Sequence, residues 1–149
     1  MVDVTAKAET TRRALARAVV VGVGDLSGLP GGPSGVFAEA RAAGLLGAKQ
    51  TAMLIPLCHP LPLSAISVDF ESAGDDVTVS AVTETLGQTG VEMEALTACA
   101  IAALTLVAAV SPGCLTARIE ELCLWEKSGG KSGSWVRSAP GAGLLENLG

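Results

Sequence analysis

Residues 65–85 read AISVDFESAGDDVTVSAVTET. Ile66, Val68 and Phe70 alternate with Ser67 and Asp69, residues 77–85 alternate again, and Gly74 with Asp75 stands between. Period-two alternation marks half-buried strands and Gly-Asp marks a turn. The stretch therefore predicts a β-hairpin, 65–71 against 77–85, and its flanks decide the fold.

Upstream, residues 49–64 read KQTAMLIPLCHPLPLS and carry the only histidine, His59, beside Cys58 and among Pro56, Pro60 and Pro62. Proline fixes φ, lacks an amide donor and pushes the preceding residue out of the α region. A rigid turn with His59 at its apex follows, anchored by Leu54, Ile55, Leu57, Leu61 and Leu63. These residues alone suit a proline-braced core turn as well as a site. Before the turn, the spacing of Phe37, Ala40, Ala43, Gly44 and Ala48 predicts a helix over 36–53 with small residues on one face. Gly44 and Gly47 permit close packing or a kink. Residues 26–35, LSGLPGGPSG, read as a loop.

Downstream, Thr89 with Glu92 three residues on is a capping box, and Glu92 and Glu94 suit the positive end of a helix dipole. That helix runs through 95–110 and stops by Ser111, Pro112 and Gly113. Residues 115–126, with Leu122 and Leu124 alternating, read as a last strand, and the chain after Gly133 as a loose tail. The N-terminal region is ambiguous: residues 12–21 suit a helix by their alanines and a strand by Val19, Val20 and Val21. Counted as extended, it gives one α+β domain over 1–149. The order is β-α-β-β-α-β, the ferredoxin-like arrangement of an antiparallel sheet with two helices on one face.

At 149 residues the chain is long enough for a real core. Only 17% of residues are charged, against about 25% in a typical globule, while 49% are apolar. So few charges coat a small globule poorly, which predicts an oligomer. A net charge of −5 and no basic run speak against nucleic acid. The uncharged run 95–110 falls short of the roughly 20 residues that span a bilayer and suits a buried helix. Residues 1–13 lack an apolar signal region, so a cytoplasmic protein is expected, without a membrane partner. Four cysteines show no metal or redox spacing and read as reduced structural thiols.

Two further groups have chemical capacity. KSGGKSG, residues 127–133, offers two ammonium groups and glycine-freed amides to an anion, or is simply a surface loop. It is not a Walker loop, because Trp125 stands where that motif needs glycine. Glu92 and Glu94, two apart on a helix, are expected to point in different directions. No metal-ligand cluster is visible.

Three blocks then combine: MVDVTAKAETTRRA at 1–14, AKQTAMLIPLCHPLPLSAISVDF at 48–70, and TGVEMEALTACAIAALTL at 89–106 followed by KSGGKSG. Together they resemble the cyclic pyranopterin monophosphate synthase family (MoaC type) of molybdenum cofactor biosynthesis. The resemblance implies a ferredoxin-like fold assembled as a homohexamer, a trimer of dimers with active sites at dimer interfaces. It implies a lyase that converts 3′,8-cyclo-7,8-dihydroguanosine 5′-triphosphate to cyclic pyranopterin monophosphate and releases pyrophosphate. By matching motif, Leu57, Cys58 and His59 would bind substrate with Met93 and Glu94. Arg12, Lys127 and Lys131 would face its phosphates, with Lys49 nearby, and His59 and Lys131 would be the catalytic groups. No resident cofactor is implied; Mg²⁺ would enter with the triphosphate. Aligned without gaps, the family's catalytic Asp and Lys on the second helix fall on Ala108 and Ser111; aligned on the AVSPG that ends the helix, about a turn is deleted. The family's Lys before the first helix falls in GGPSG. No charged residue lies between Glu94 and Arg118. The alternative reading is therefore a non-catalytic paralogue that binds the nucleotide or pairs in a hetero-oligomer with an active paralogue.

Overall fold

A computed structural model describes residues 1–138. Its elements are β1 (Thr10–Val21), a 3-10 turn (Leu26–Gly28), α1 (Gly32–Lys49), a short α2 (Thr51–Leu54), β2 (Leu63–Ala73), β3 (Asp76–Gly87), α3 (Glu92–Val110), β4 (Arg118–Ser128) and β5 (Trp135–Val136). The strands form one antiparallel sheet in the order β2-β3-β1-β4-β5. With α1 and α3 packed on one face, this is the expected α+β ferredoxin-like architecture, extended by β5. The hairpin forms as read, in register from Ile66 opposite Thr83 to Ala73 opposite Asp76.

The N-terminal ambiguity resolves as strand. Ala14, Ala16, Ala18 and Val20 alternate toward the helices and are all fully buried, while Arg13 and Arg17 take the other face. The layer above is equally fine-grained. Ala95, Ala98, Ala102 and Ala103 of α3 are buried, and a Cβ at Gly44 of α1 would lie 2.9 Å from the Ala98 carbonyl. One at Gly47 would meet Ile101 at 2.9 Å. Small side chains thus let α1, α3 and the sheet approach closely, and dispersion over close contacts replaces bulk. Where α1 meets β2 the filling is larger: Phe37 stacks on Phe70 with ring centroids 4.8 Å apart.

Four boundary expectations fail for physical reasons. The first helix begins inside the GGPSG segment and ends at Lys49. Gly31 supplies a left-handed N-cap, and Pro33 in the first turn loses no amide bond and brings a helical φ. The capping box is not made: α3 starts three residues after Thr89, at Glu92, with Val91 as N-cap and no side-chain cap. Leu122 does not follow Leu124 into the core, because the register of β4 on β1 shifts between Arg17 and Val19, and Leu122 is exposed. The tail after Gly133 is not wholly loose: Trp135 and Val136 pair with Lys127 and Glu126. The rest of that expectation, 139–149, lies outside the described residues.

Candidate functional site

Four chain segments converge at one end of the sheet. Arg12 enters β1 on the helix-covered face, and its Nε donates to the Gly87 carbonyl at 2.8 Å while Nη2 donates to that of Gln88 at 3.1 Å. This guanidinium ties the start of β1 to the end of β3. Two buried hydroxyls of β3 fasten the remaining pieces. Thr85 donates to the Pro62 carbonyl at 2.6 Å, holding the proline turn, and Thr83 donates to that of Val91 at 2.9 Å, holding the start of α3.

The proline turn and the first turn of α3 enclose a cleft of about 200 Å³. Leu57, Cys58 and His59 form one wall; Glu92, Met93 and Glu94 form the other. Glu92 and Glu94 therefore border the same cleft, against the expectation that they diverge. Glu92 is the first helical residue, with no preceding turn to confine it, and its carboxylate folds back over Gly90. Glu94 is only 4% exposed. Burial pushes its carboxyl pKa upward against the hydrogen bond from its own amide, and the Glu92 charge adds to the rise. Burial also raises the Cys58 thiol, with Glu94 a second cause. The cleft thus sets a buried carboxyl on one wall and an imidazole on the other.

The cationic residues gather beside it. A second register shift, between Leu15 and Ala16, sets Lys127 opposite Ala14, on the helix side of the sheet. Its Nζ lies 4.0 Å from Glu92 Oε1 and also bonds Ser132. Gly129 and Gly130 then cross the sheet end in positive-φ conformations; a side chain on Gly129 would collide with the Thr11 carbonyl, and one on Gly130 with the Arg12 guanidinium. Glycine is required here for backbone approach as well as for φ. The result is a neighbouring cavity of about 380 Å³, lined by Lys7, Thr10, Arg12, Gly130 and Lys131 with no carboxylate.

Every site residue read from the sequence except Lys49 belongs to this end. Lys49 is exposed at the close of α1 and lines neither cavity. Sequence reasoning missed Lys7, Thr10 and the cleft-lining role of Glu92. Nothing in the spacing of Lys7 ties it to residues more than a hundred positions away.

Ala108 and Ser111 are elsewhere. They sit near the far end of α3, about 21 Å of helix rise from Glu94 to Ala108. Ser111 donates its hydroxyl to the Val107 carbonyl at 2.6 Å. Beside them opens a cavity of about 660 Å³, with an apolar lining that includes Val23, Val36 and Val110 and, as ionisable groups, Asp25, Glu39 and Cys114. Residues at those two positions cannot reach the His59 cleft of the same chain. Among the described residues no group of three His, Cys, Asp or Glu side chains is placed to hold a metal ion, and all four cysteines are unpaired.

The chain has named relatives. A protein named cyclic pyranopterin monophosphate synthase from Corynebacterium efficiens is 50% identical over 141 residues, covering 91% of this chain and 90% of that protein. One of the same name from Streptomyces coelicolor is 47% identical, covering 93% of this chain and 84% of its own length. Cyclic pyranopterin monophosphate synthase 2 of Mycobacterium tuberculosis is 44% identical, with 92% and 84% covered. The MoaC family model matches residues 1–130, and the chain belongs to that family.

Proposed function

We propose that this chain acts in molybdenum cofactor biosynthesis as a cyclic pyranopterin monophosphate synthase. It would convert 3′,8-cyclo-7,8-dihydroguanosine 5′-triphosphate to the pyranopterin carrying a cyclic phosphate, with loss of pyrophosphate. The observation that carries the reading is the adjacency of a proton-handling cleft and an acid-free cationic cavity at one sheet end. Opening and closing rings needs groups that give and take protons. The imidazole of His59 and the buried carboxyl of Glu94, on facing walls of the cleft, are groups of that kind. A triphosphate needs fixed positive charge where negative charge collects, which Arg12 and Lys131 supply beside Lys127. Leu57, Cys58 and Met93 would hold the apolar face of the purine-derived ring. Mg²⁺ would arrive with the triphosphate.

The working unit in this proposal is an oligomer, a cytoplasmic homohexamer of three dimers. Leu46, Met53, Leu54, Leu57 and Leu104 are all more than half exposed on the helical side and the proline turn, apolar area that a second chain would cover. A site shared across an interface also accommodates the distance from Glu94 to Ala108, since each chain would give one end to one site.

One observation favours the second reading. At the far end the relevant side chains are a methyl and a hydroxyl bonded to its own helix, so a homo-oligomer gains no proton carrier from α3. In that case the chain binds the nucleotide without turnover, or completes its site with an active paralogue. Purified protein incubated with the cyclised dihydroguanosine triphosphate decides between them. Pyrophosphate release and pyranopterin formation would be followed against heat-killed protein and the Corynebacterium relative. Turnover comparable with the relative supports the synthase; binding without product supports the paralogue; neither binding nor product removes both.

A further inference from the structure

The N-terminal segment lies across the site, and among the described residues no side-chain hydrogen bond or ion pair joins it to the body. Val2 lines the cleft of His59 and Glu94, Val4 and Glu9 line a groove beside His59, Gly87 and Thr89, and Lys7 lines the cavity of Arg12 and Lys131. Nine residues thus furnish a wall to each of three adjoining cavities. Yet among the described residues their hydrogen bonds close within the segment. The Thr5 amide and hydroxyl donate to Asp3 Oδ1 at 2.9 and 2.7 Å, and the Lys7 amide donates to the Val4 carbonyl at 2.9 Å. No ion pair among the described residues joins the segment to the body, and every residue of it but Val4 is exposed. Few buried contacts and no external hydrogen bonds are the marks of a part that opens at low cost. Pairing to β3 begins at Thr10, opposite Gly87, and this is where the segment would hinge. The Thr10 hydroxyl is the one buried side-chain polar atom among the described residues without a hydrogen-bond partner. Buried donors are ordinarily satisfied, so this hydroxyl keeps its donor capacity unspent beside the cavity that Thr10 lines.

We propose that residues 1–9 form a strap that closes over a bound polyphosphate, with Lys7 as a contacting cation and the Thr10 hydroxyl as a donor uncovered when the strap shifts. This rests on the reading of the Arg12 and Lys131 cavity as the phosphate end of the site. Lys7 then supplies what the rigid cations do not. Two of the three guanidinium nitrogens of Arg12 are already spent on the Gly87 and Gln88 carbonyls, and a charge on a loose segment can adjust to the ligand.

Inorganic tripolyphosphate is the probe, with affinity measured by calorimetry and closure by the rate of tryptic cleavage after Lys7. The parent should bind it, and binding should slow that cleavage. Lys7→Ala should weaken binding about tenfold, near the lower value of one charge-assisted hydrogen bond, with unchanged thermal unfolding, and Lys7→Arg should retain it. Lys131→Ala should lose both binding and protection. If Lys131→Ala loses binding while Lys7→Ala binds as the parent does, the strap is overturned and the phosphate reading stands. Unslowed cleavage at saturating probe overturns the strap in the same way. If the parent does not bind tripolyphosphate, strap and phosphate reading fall together.

Discussion

The two ends of α3 invite comparison. At its start a cleft of about 200 Å³ collects an imidazole, a thiol and two carboxyls, with Lys127 reaching one of them. At its finish a cavity more than three times larger holds mostly aliphatic groups and no basic side chain. Size and chemistry have parted company. The small end gathers ionisable groups because a helix start, a proline turn, two strand ends and a glycine loop all meet there. The large end is merely where α1 and α3 diverge from the sheet. Between them runs a helix whose middle is closely packed and uncharged, so neither end can lend a proton carrier to the other within one chain.

The strongest way to break this contrast is to charge the quiet end. Ala108 is exposed, so Ala108→Asp with Ser111→Lys should fold. If sites are shared between chains, the pair should raise pyrophosphate release by about 10²–10⁴, the usual worth of a well-placed acid or base. Gel filtration should show an unchanged assembly. An unaltered rate would mean that the far end of α3 serves no site.

Next in size is a test of the strut itself. Gly44 sits where α1 crosses α3, and its replacement by alanine would press a methyl against the Ala98 carbonyl. Overpacking of this kind costs about 1–3 kcal/mol, which in a domain of this size lowers Tm by several degrees. Because the crossing fixes the spacing of both ends, activity should fall with stability. A Gly44→Ala protein that melts like the parent would show the helices to be less tightly apposed than 2.9 Å implies.

Much of this was legible beforehand, and the gaps have reasons. The hairpin announced itself because Ile66, Val68 and Phe70 are bulky on one face and polar residues fill the other. β1 carries the same period, but in alanines, and Ala14, Ala16 and Ala18 favour a helix by propensity as much as they satisfy a strand. Only the Arg13 and Arg17 positions betray the second face. The placing of Lys127 was unreadable because it depends on two register shifts in β4, and a shift of one residue turns a side chain to the other face. Lys7 was hidden for a different cause: a segment without regular structure has no periodicity from which to infer its neighbours. The proline turn, by contrast, was read correctly as non-helical, since proline acts through covalent geometry and needs no context, although Leu54 and Leu57, expected to anchor it, are exposed.

Titration sharpens the comparison, because the two ends hold carboxyls shifted in opposite directions. Glu94, buried, has a folded pKa above its ordinary value. Its contribution to stability is fully present below the ordinary carboxylate range and is lost as pH rises through the folded value. Asp25, at the far end, is lowered by the Ser27 amide, so its contribution is present above that range and is lost as pH falls. Glu94→Gln should therefore match the parent in acid and exceed it in thermal stability at neutral pH, while slowing any turnover. Asp25→Asn should be the weaker protein at neutral pH and approach the parent only in acid. Identical pH profiles for the two variants would contradict the burial difference on which the contrast rests.

The smallest effect belongs to the Lys127 and Glu92 pair. At 4.0 Å, with side chains 20% and 33% exposed, it has the spacing and solvation of an ion pair worth under about 1 kcal/mol. A double-mutant cycle with Lys127→Met and Glu92→Gln should return a coupling within that limit in the free protein. The weakness has a use at the reactive end. Lys127 is also bonded to Ser132 and flanks the glycine loop, so an arriving phosphate can take its ammonium from Glu92 at little cost. On the proposed reading the lysine would then join Arg12 and Lys131. Repeated with tripolyphosphate bound, the cycle should show the coupling fall toward zero. A coupling above about 2 kcal/mol, or one that persists unchanged with the anion present, would instead make the pair a fixed brace.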